Sequence, residues 1–306
     1  MSQTFGARPS RRAILAFGAG TALATAVSTG GPAYAAPPGE GDLHRRLRGL
    51  EREHSARLGV FARNTATGRS VLYRADESFP ICSVFKTLVV AAVLRDLDRD
   101  GEFLAKRIRY TGKDVARSGY SPVTGTPEHL AGGMTVAELC AAAIDHSDNT
   151  AANLLLHELG GPTAVTRLCR SIGDRTTRVD RWEPELNSAE PWRTTDITSP
   201  AAIAGTYERL TLGDALGPRD RAQLTRWLLG NTTSGARFGA GLPKDWTLAD
   251  KTGTGDHGTT NDVGIAWTPD RSPVVLAVLT TKHDAGAPAD EPLVARTAEL
   301  LAAALV

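Results

Sequence analysis

The sequence lacks any recognisable metal-binding spacing. Its seven histidines are scattered, and none falls into H-E-x-x-H or H-x-H. No metal and no cofactor are therefore expected. Cysteine is scarce: Cys82, Cys140 and Cys169 are the whole supply. An odd number cannot all pair. A chain of 306 residues can build a core that needs no disulfide, so all three are expected buried and reduced. An excess of one charge is also missing. The net charge is +1 without a long basic run, which argues against a phosphate-neutralising face and nucleic-acid binding. There is no internal repeat. Beyond the N-terminal segment no stretch is long and apolar enough to span a bilayer.

What is present begins with that N-terminal segment. "SRRAIL" from Ser10 is followed by a mildly apolar run through Val27 and an A-x-A end, "AYA", at Ala35. Residues 1–35 read as an export signal. The paired Arg11 and Arg12 with weak hydrophobicity resemble the twin-arginine type. No cysteine near Ala35 supports a lipid anchor. Loss of Arg8, Arg11 and Arg12 leaves the remainder at −2 against +1 for the whole chain. "APPGEG", residues 36–41, reads as a linker.

Further on, Leu43, Leu47 and Leu50 follow one helix face, with Leu58 continuing the apolar series. "GVFARNTATGRSVLYRA" reads as a hairpin about a turn at Asn64–Gly68. From Pro80 to about Gly230 the pattern is mostly helical. It is broken by a stretch from Thr176 to Pro200 without a clear period, which is long enough to suggest a functional or disordered loop. "WTLADKTGTG", "NDVGIAWTP" and "PVVLAVLTTK" read as strands parted by turn signals, and "EPLVARTAELLAAAL" as a closing helix. Strands at both ends with helices between predict an antiparallel sheet built from the two ends and a helical lobe inserted between them. The expected division is 42–75 with 231–306 for the sheet part, and 76–230 for the helical part carrying the 176–200 loop.

Three short motifs carry chemistry. In "ICSVFKTLVV", Ser83 and Lys86 stand three apart, so a helix places them on one face. A serine hydroxyl is a poor nucleophile until a base takes its proton. A lysine serves as that base when burial or nearby cations lower its pKa. Alone, the pair reads more plainly as a helix-capping serine and a surface lysine. "HSDNTAAN" can point Ser147 and Asn149 one way from an extended turn, with Asp148 tying the loop down. Its plainer reading is a cap before the next helix. "DKTGTG" puts Lys251 near Gly253, whose missing side chain lets another backbone approach. The plainer reading is a strand end with a turn.

Taken together and in order, S-x-x-K, S-D-N and K-T-G form the set found in class A β-lactamases and penicillin-binding proteins. From about Leu43 to its last helix the sequence resembles a class A serine β-lactamase. A fourth segment, "RWEPELN", strengthens this. Glu183 and Asn187 are four apart and can face one water from a helical turn, and Glu183 could take that water's proton. The plainer reading of this segment is a charged surface turn.

The resemblance implies an α+β fold: a five-stranded antiparallel sheet flanked by helices, with an inserted all-helical lobe. It implies an exported enzyme that hydrolyses the β-lactam ring of penicillins and some cephalosporins, a monomer with neither a nucleic-acid nor a membrane partner once processed. Ser83 would be the acylated nucleophile with Lys86 beside it. Ser147 would pass a proton to the β-lactam nitrogen, and Asn149 would hold the antibiotic's side-chain amide. Glu183 with Asn187 would activate the deacylating water. Lys251, Thr252 and Thr254 would meet the substrate carboxylate, and the N–H groups of Ser83 and Thr254 would form the oxyanion hole. Tyr120 would wall the entrance. Arg181 and Asp196 would close the neck of the Glu183 loop as a buried pair. The expected carboxylate-binding arginine on the strand after K-T-G is missing from "DHGTTNDVG". Arg237, in "TTSGARFGAG", would replace it with a two-pronged contact; the plainer reading is a solvated surface arginine.

Two disulfides known in the family are excluded, since Val90 stands opposite Cys140 and Gly255 opposite Cys82. The second absence argues against a carbapenem-degrading subtype. A D-Ala-D-Ala peptidase shares the three motifs but lacks the deacylating glutamate. A β-lactam-binding sensor would carry a transmembrane segment and an effector domain.

Overall fold

The computed structural model describes residues 40–306; the stretch read as an export signal, 1–35, and residues 36–39 lie outside the described residues. Helix α1, Glu40–Glu53, starts two residues inside the stretch read as linker. It turns Leu47 and Leu50 into the core, with Leu43 packed beside them. Leu58 does not continue that helix. The chain breaks at Ser55, where φ is +46°, and Leu58 lies in β1, Arg57–Asn64. Asn64 Oδ1 then accepts from the N–H groups of Ala66 and Thr67. Such Asx turns are why the polar Asn–Gly stretch reverses the chain. β2, Ser70–Tyr73, returns against β1.

The remaining strands come from the C-terminal third: β3, Thr247–Gly255; β4, Thr259–Trp267; and β5, Pro273–Thr281. The sheet order is β2-β1-β5-β4-β3, antiparallel throughout. The five-stranded antiparallel sheet is as expected. β5 shows why it has two covered faces. Val274, Leu276 and Val278 enter one core, while Val275, Ala277 and Leu279 enter the other. Alternate side chains of a strand point to opposite faces, so an unbroken apolar run requires cover on both.

Helices supply that cover. α2 is Lys86–Ala92, α3 Val136–Asp145, α4 Asn149–Glu158, α5 Pro200–Thr211, α6 Pro218–Leu229 and α7 Glu291–Leu305. α1 and α7 bury Leu47, Leu50, Leu293 and Leu301 on one face. α5, with Ile203, Tyr207 and Leu210, shares the other face's core with α2, α3, α4 and α6. Each wholly buried leucine contributes about 1.5–3 kcal/mol of transfer free energy. The starts of these helices are set locally: Thr135 and Glu138 form a capping box on α3, and Ser199 caps α5 ahead of Pro200.

The long 176–200 stretch is ordered. Arg178 bridges to Ile197, and Ile197–Thr198 pairs with Phe79–Pro80. Its ends are thus pinned beside the strand residues that lead into Ser83. Within it, Glu185–Ser188 makes one 3-10 turn.

Candidate active site

Ser83 sits in a 3-10 turn, Cys82–Phe85, that runs into α2. Residues i and i+3 eclipse one another in this helix, so Ser83 and Lys86 lie in line on one face. Ser83 caps nothing through its side chain, and Lys86 is completely buried. The reading as a capping serine with a surface lysine therefore fails. The residue before Ser83, Cys82, is held at φ +44°, a conformation uncommon outside glycine and often found at functional sites.

β3 lies against this turn. A Cβ at Gly253 would come 3.2 Å from the backbone nitrogens of both Ser83 and Val84. Only glycine lets the strand approach that closely. Gly255 is equally crowded: a Cβ there would meet Cys82 Sγ at 2.7 Å. All three cysteines are free and buried, as expected.

The "SDN" segment differs in one respect from its reading. Ser147 is left-handed, at φ +57°, not extended. Asp148 caps α4 by accepting from Ala151 N–H, and it also takes the N–H groups of Val123 and Thr124. Cap and functional loop are therefore the same structure. Asp148 fixes the turn, which leaves Ser147 and Asn149 turned toward Lys86.

The polar groups meet around that lysine. Lys86 Nζ contacts Ser147 O at 2.7 Å, Asn149 Oδ1 at 2.6 Å and Glu183 Oε1 at 3.0 Å. Ser83 Oγ donates to the same Glu183 oxygen at 3.2 Å. Asn187 Nδ2 donates to the other, Oε2, and buried Asn187 Oδ1 has no protein partner. Lys251 Nζ donates to Ser147 Oγ at 2.9 Å. Burial pulls the Lys86 amine below its ordinary pKa, against the attraction of Glu183. Burial, then Lys86 and Arg237, push Lys251 well below its ordinary value. Lys86 Nζ is surrounded by Ser147 O, Asn149 Oδ1 and Glu183 Oε1, with Ser147 Oγ at 3.4 Å, and Ser83 Oγ is not among its partners.

On the far side, Thr252 Oγ1 shares a hydrogen bond with Thr233 Oγ1 at 2.5 Å. Arg237 is 4% exposed, so the solvated-surface reading fails for it too. Nη1 donates to Gly253 O and Asn261 O; Nη2 donates to Thr254 Oγ1 at 2.7 Å and pairs with Glu291 at 3.4 Å. Its terminal nitrogens are thus engaged, and no free two-pronged face remains. Arg237 instead backs Thr254, whose hydroxyl proton is left to donate onward. Tyr120 is 62% exposed on the rim, and its carbonyl accepts from Asn149 N–H.

Arg181 Nε meets Asp196 Oδ2 at 2.6 Å, while Asp196 Oδ1 accepts from the N–H groups of Asp180 and Arg181. The pair is only half as expected. The Asp196 side chain is buried, but that of Arg181 is 25% exposed.

Two participants were not read from the sequence. Asn153 accepts from Glu183 N–H and donates to Glu183 O, clamping the glutamate's backbone. It lies one helical turn after Asn149 in "SDNTAAN", a spacing that could have identified it. Thr233 has no such signal, because its contact with Thr252 depends on how the Asn231–Phe238 segment crosses β3.

Comparison with known proteins follows this geometry. Residues 42–305 match the family described as the beta-lactamase enzyme family. The chain is 68% identical to a beta-lactamase of Streptomyces lavendulae over 302 residues, covering 99% of each. The solved beta-lactamase from Streptomyces albus G superposes with a TM-score of 0.86 at 64% identity, over 87% of this chain and all of that one. A variant of a class A beta-lactamase representing the last common ancestor of Gram-negative bacteria gives a TM-score of 0.81 at 52% identity, over 86% and 98%.

Proposed function

This chain belongs to the beta-lactamase enzyme family, as a class A serine member that hydrolyses β-lactams and confers resistance to them, and from that premise we propose how its residues divide the reaction. Ser83 attacks the ring carbonyl and forms an ester. The observation that carries this is Ser83 Oγ donating to Glu183 Oε1 while the partners of Lys86 do not include Ser83 Oγ. Glu183 is accordingly the base that activates Ser83, and Lys86 is a fixed cation that steadies the glutamate and the Ser147 turn. The N–H groups of Ser83 and Thr254 take the developing oxyanion.

As the ring opens, its nitrogen needs a proton. Ser147 Oγ accepts from Lys251, which leaves its own hydrogen for the nitrogen and polarises it. Asn149 commits Oδ1 to Lys86 and one amide hydrogen to Ser118 O. Its second amide hydrogen remains for the substrate's side-chain amide. The carboxylate is received by Lys251, Thr252 and Thr254, with Arg237 behind Thr254. Lys86 Nζ, 3.4 Å from Ser147 Oγ and 3.0 Å from Glu183 Oε1, gives Ser147 a replacement proton and takes back the one Glu183 removed from Ser83. Glu183 is then ionised again, and in the second half-reaction it takes a proton from water and returns it to Ser83 as the ester opens. The unpartnered Asn187 Oδ1 is placed to accept that water's other hydrogen.

Penicillins and some cephalosporins are the substrates this arrangement supports. Ser83→Ala tests it: the purified variant should bind benzylpenicillin, form no adduct by intact-mass analysis and show no turnover, with an unchanged melting temperature. Measurable hydrolysis would remove Ser83 from its role. The export-type N-terminus supports an exported protein; we propose that it acts as a monomer, without nucleic-acid or membrane partners. An N-terminus at Ala36 on the extracytoplasmic protein, and a monomer mass by light scattering, would test that.

A further inference from the structure

Beneath the carboxylate side of the cleft lie two buried acids that the reaction does not use. Asp250 is on β3 and Asp262 on β4, 2% and 0% exposed. The strands pair Thr252 with Asp262 and Asp250 with Gly264. Cross-strand partners share a face, so Asp250, Thr252 and Asp262 point the same way. Gly264 makes room for this: a Cβ there would lie 2.6 Å from Asp250 Cβ. The register makes Asp250 and Asp262 diagonal neighbours on that face. Asp250 Oδ2 and Asp262 Oδ1 are both buried without a hydrogen-bond donor.

Their other oxygens grip the two ends of one segment. Asn231 Nδ2 donates to Asp250 Oδ1 at 2.9 Å, and Phe238 N–H donates to Asp262 Oδ2 at 3.1 Å. Between Asn231 and Phe238 lie Thr233, on Thr252, and Arg237, on Thr254. We propose that Asp250 and Asp262 share one proton, and that the joined pair is the positioning element that holds Thr233 and Arg237 at the substrate carboxylate.

Two adjacent carboxylates in a dry site cannot both ionise without large repulsion, whereas one proton turns repulsion into a hydrogen bond. Burial, and then the neighbouring acid, raise Asp262 well above the ordinary range, and burial raises Asp250. The charged groups facing the pair are Lys251 on β3 and Arg237 on the segment itself; both favour one remaining negative charge. From α5 the Tyr207 phenol faces them, held protonated by its own burial. A proton lost at alkaline pH would separate the strands' grip on the segment.

The kinetic consequence rests on the proposed carboxylate site; the shared proton does not, and the two are measured separately. Infrared spectra of the full chain at neutral pH, wild type minus Asp262→Asn and wild type minus Asp250→Asn, should each contain a protonated-carboxyl stretch. Its absence from both differences would overturn the shared proton. Steady-state kinetics on benzylpenicillin then test the positioning. Asp262→Asn keeps a neutral partner and should hold KM within about threefold, whereas Asp262→Ala should raise KM about tenfold or more with a smaller change in kcat. KM of the wild type should climb more steeply at alkaline pH than that of Asp262→Asn, in which Lys251 still titrates but the shared proton is gone. Equal KM values in the Asn and Ala variants, or matching pH profiles, would overturn the positioning role. Wild-type protein inert toward all β-lactams would instead overturn the proposed reaction and leave the infrared result standing.

Discussion

Truncating Arg237 to alanine separates what this residue does for substrate from what it does for the sheet. The structure shows the contacts with the sheet, and the proposed reaction adds the role toward substrate. Toward the cleft, Nη2 donates to Thr254 Oγ1, so the guanidinium turns the threonine's proton outward and adds positive potential behind it. Loss of a hydrogen bond to a charged group costs about 1.5–3 kcal/mol, which is about a ten- to a hundred-fold fall in kcat/KM. Toward the sheet, Nη1 holds Gly253 O and Asn261 O. Stranding both buried carbonyls costs about 3 kcal/mol, or about 6–12 °C in melting temperature for a chain of this size. A surface arginine would show neither effect.

A double-mutant cycle with Thr254→Val decides whether the kinetic part runs through the threonine. Arg237 serving the carboxylate by way of Thr254 predicts that the double variant is little worse than the poorer single one. Independent contacts would multiply the two losses. The assay is kcat/KM on benzylpenicillin, measured well below the unfolding range that a melting curve gives for each protein. Multiplied losses would refute the relay, and unchanged kinetics in Arg237→Ala would leave Lys251 and its threonines to bind the carboxylate alone. Arg237→Lys should restore only part of either effect, because a lysine cannot span Gly253 O, Asn261 O and Thr254 together.

Glu183→Ala should acylate more slowly than wild type and deacylate far more slowly still, so that intact-mass analysis after benzylpenicillin finds a persistent adduct on Ser83; full turnover would remove Glu183 from the reaction. Asp196→Ala leaves Arg181 and two backbone N–H groups without their acceptor and should destabilise the protein by about 3 kcal/mol, with hydrogen exchange rising first across residues 176–200; exchange rising evenly over the whole fold would show that the pair does not hold that loop. Asp145 gives a pH test: burial pushes its carboxyl up to about 6, above the unfolded value of about 3.9, so the folded state keeps a proton the unfolded chain has lost and stability falls as pH rises between the two. Asp145→Asn should therefore melt above wild type beyond about pH 6 and level with it below about pH 4; a difference constant with pH would refute this.

The residues that meet around Lys86 were legible because short-range geometry sets them. Ser83 with Lys86, Ser147 with Asn149, and Glu183 with Asn187 are each within one turn of chain, and residue type plus spacing carries their chemistry. The sheet was legible for a related reason: β5 is apolar without a break from Pro273 to Leu279, which only a strand covered on both faces tolerates. Failures came where conformation or register decides. The left-handed turn at Ser147 leaves no mark in residue types. Leu58 fits a helix spacing that Ser55 interrupts.

The largest gap lies under the cleft, and it has one physical origin. Arg237 reads as a surface residue only while its own segment is considered, where glycine and alanine surround it. Its burial comes from β3 and β4, whose pairing brings Gly253 O and Asn261 O to one guanidinium. The same register sets Asp262 beside Asp250, across the space left by Gly264. A charged residue in such a place needs partners from distant sequence before burial is tolerable. Sequence spacing detects contacts made along one element; contacts made across paired strands exist only once the sheet has chosen its register. Buried charge in this enzyme is therefore where the fold, more than the motif, holds the substrate side of the site in place.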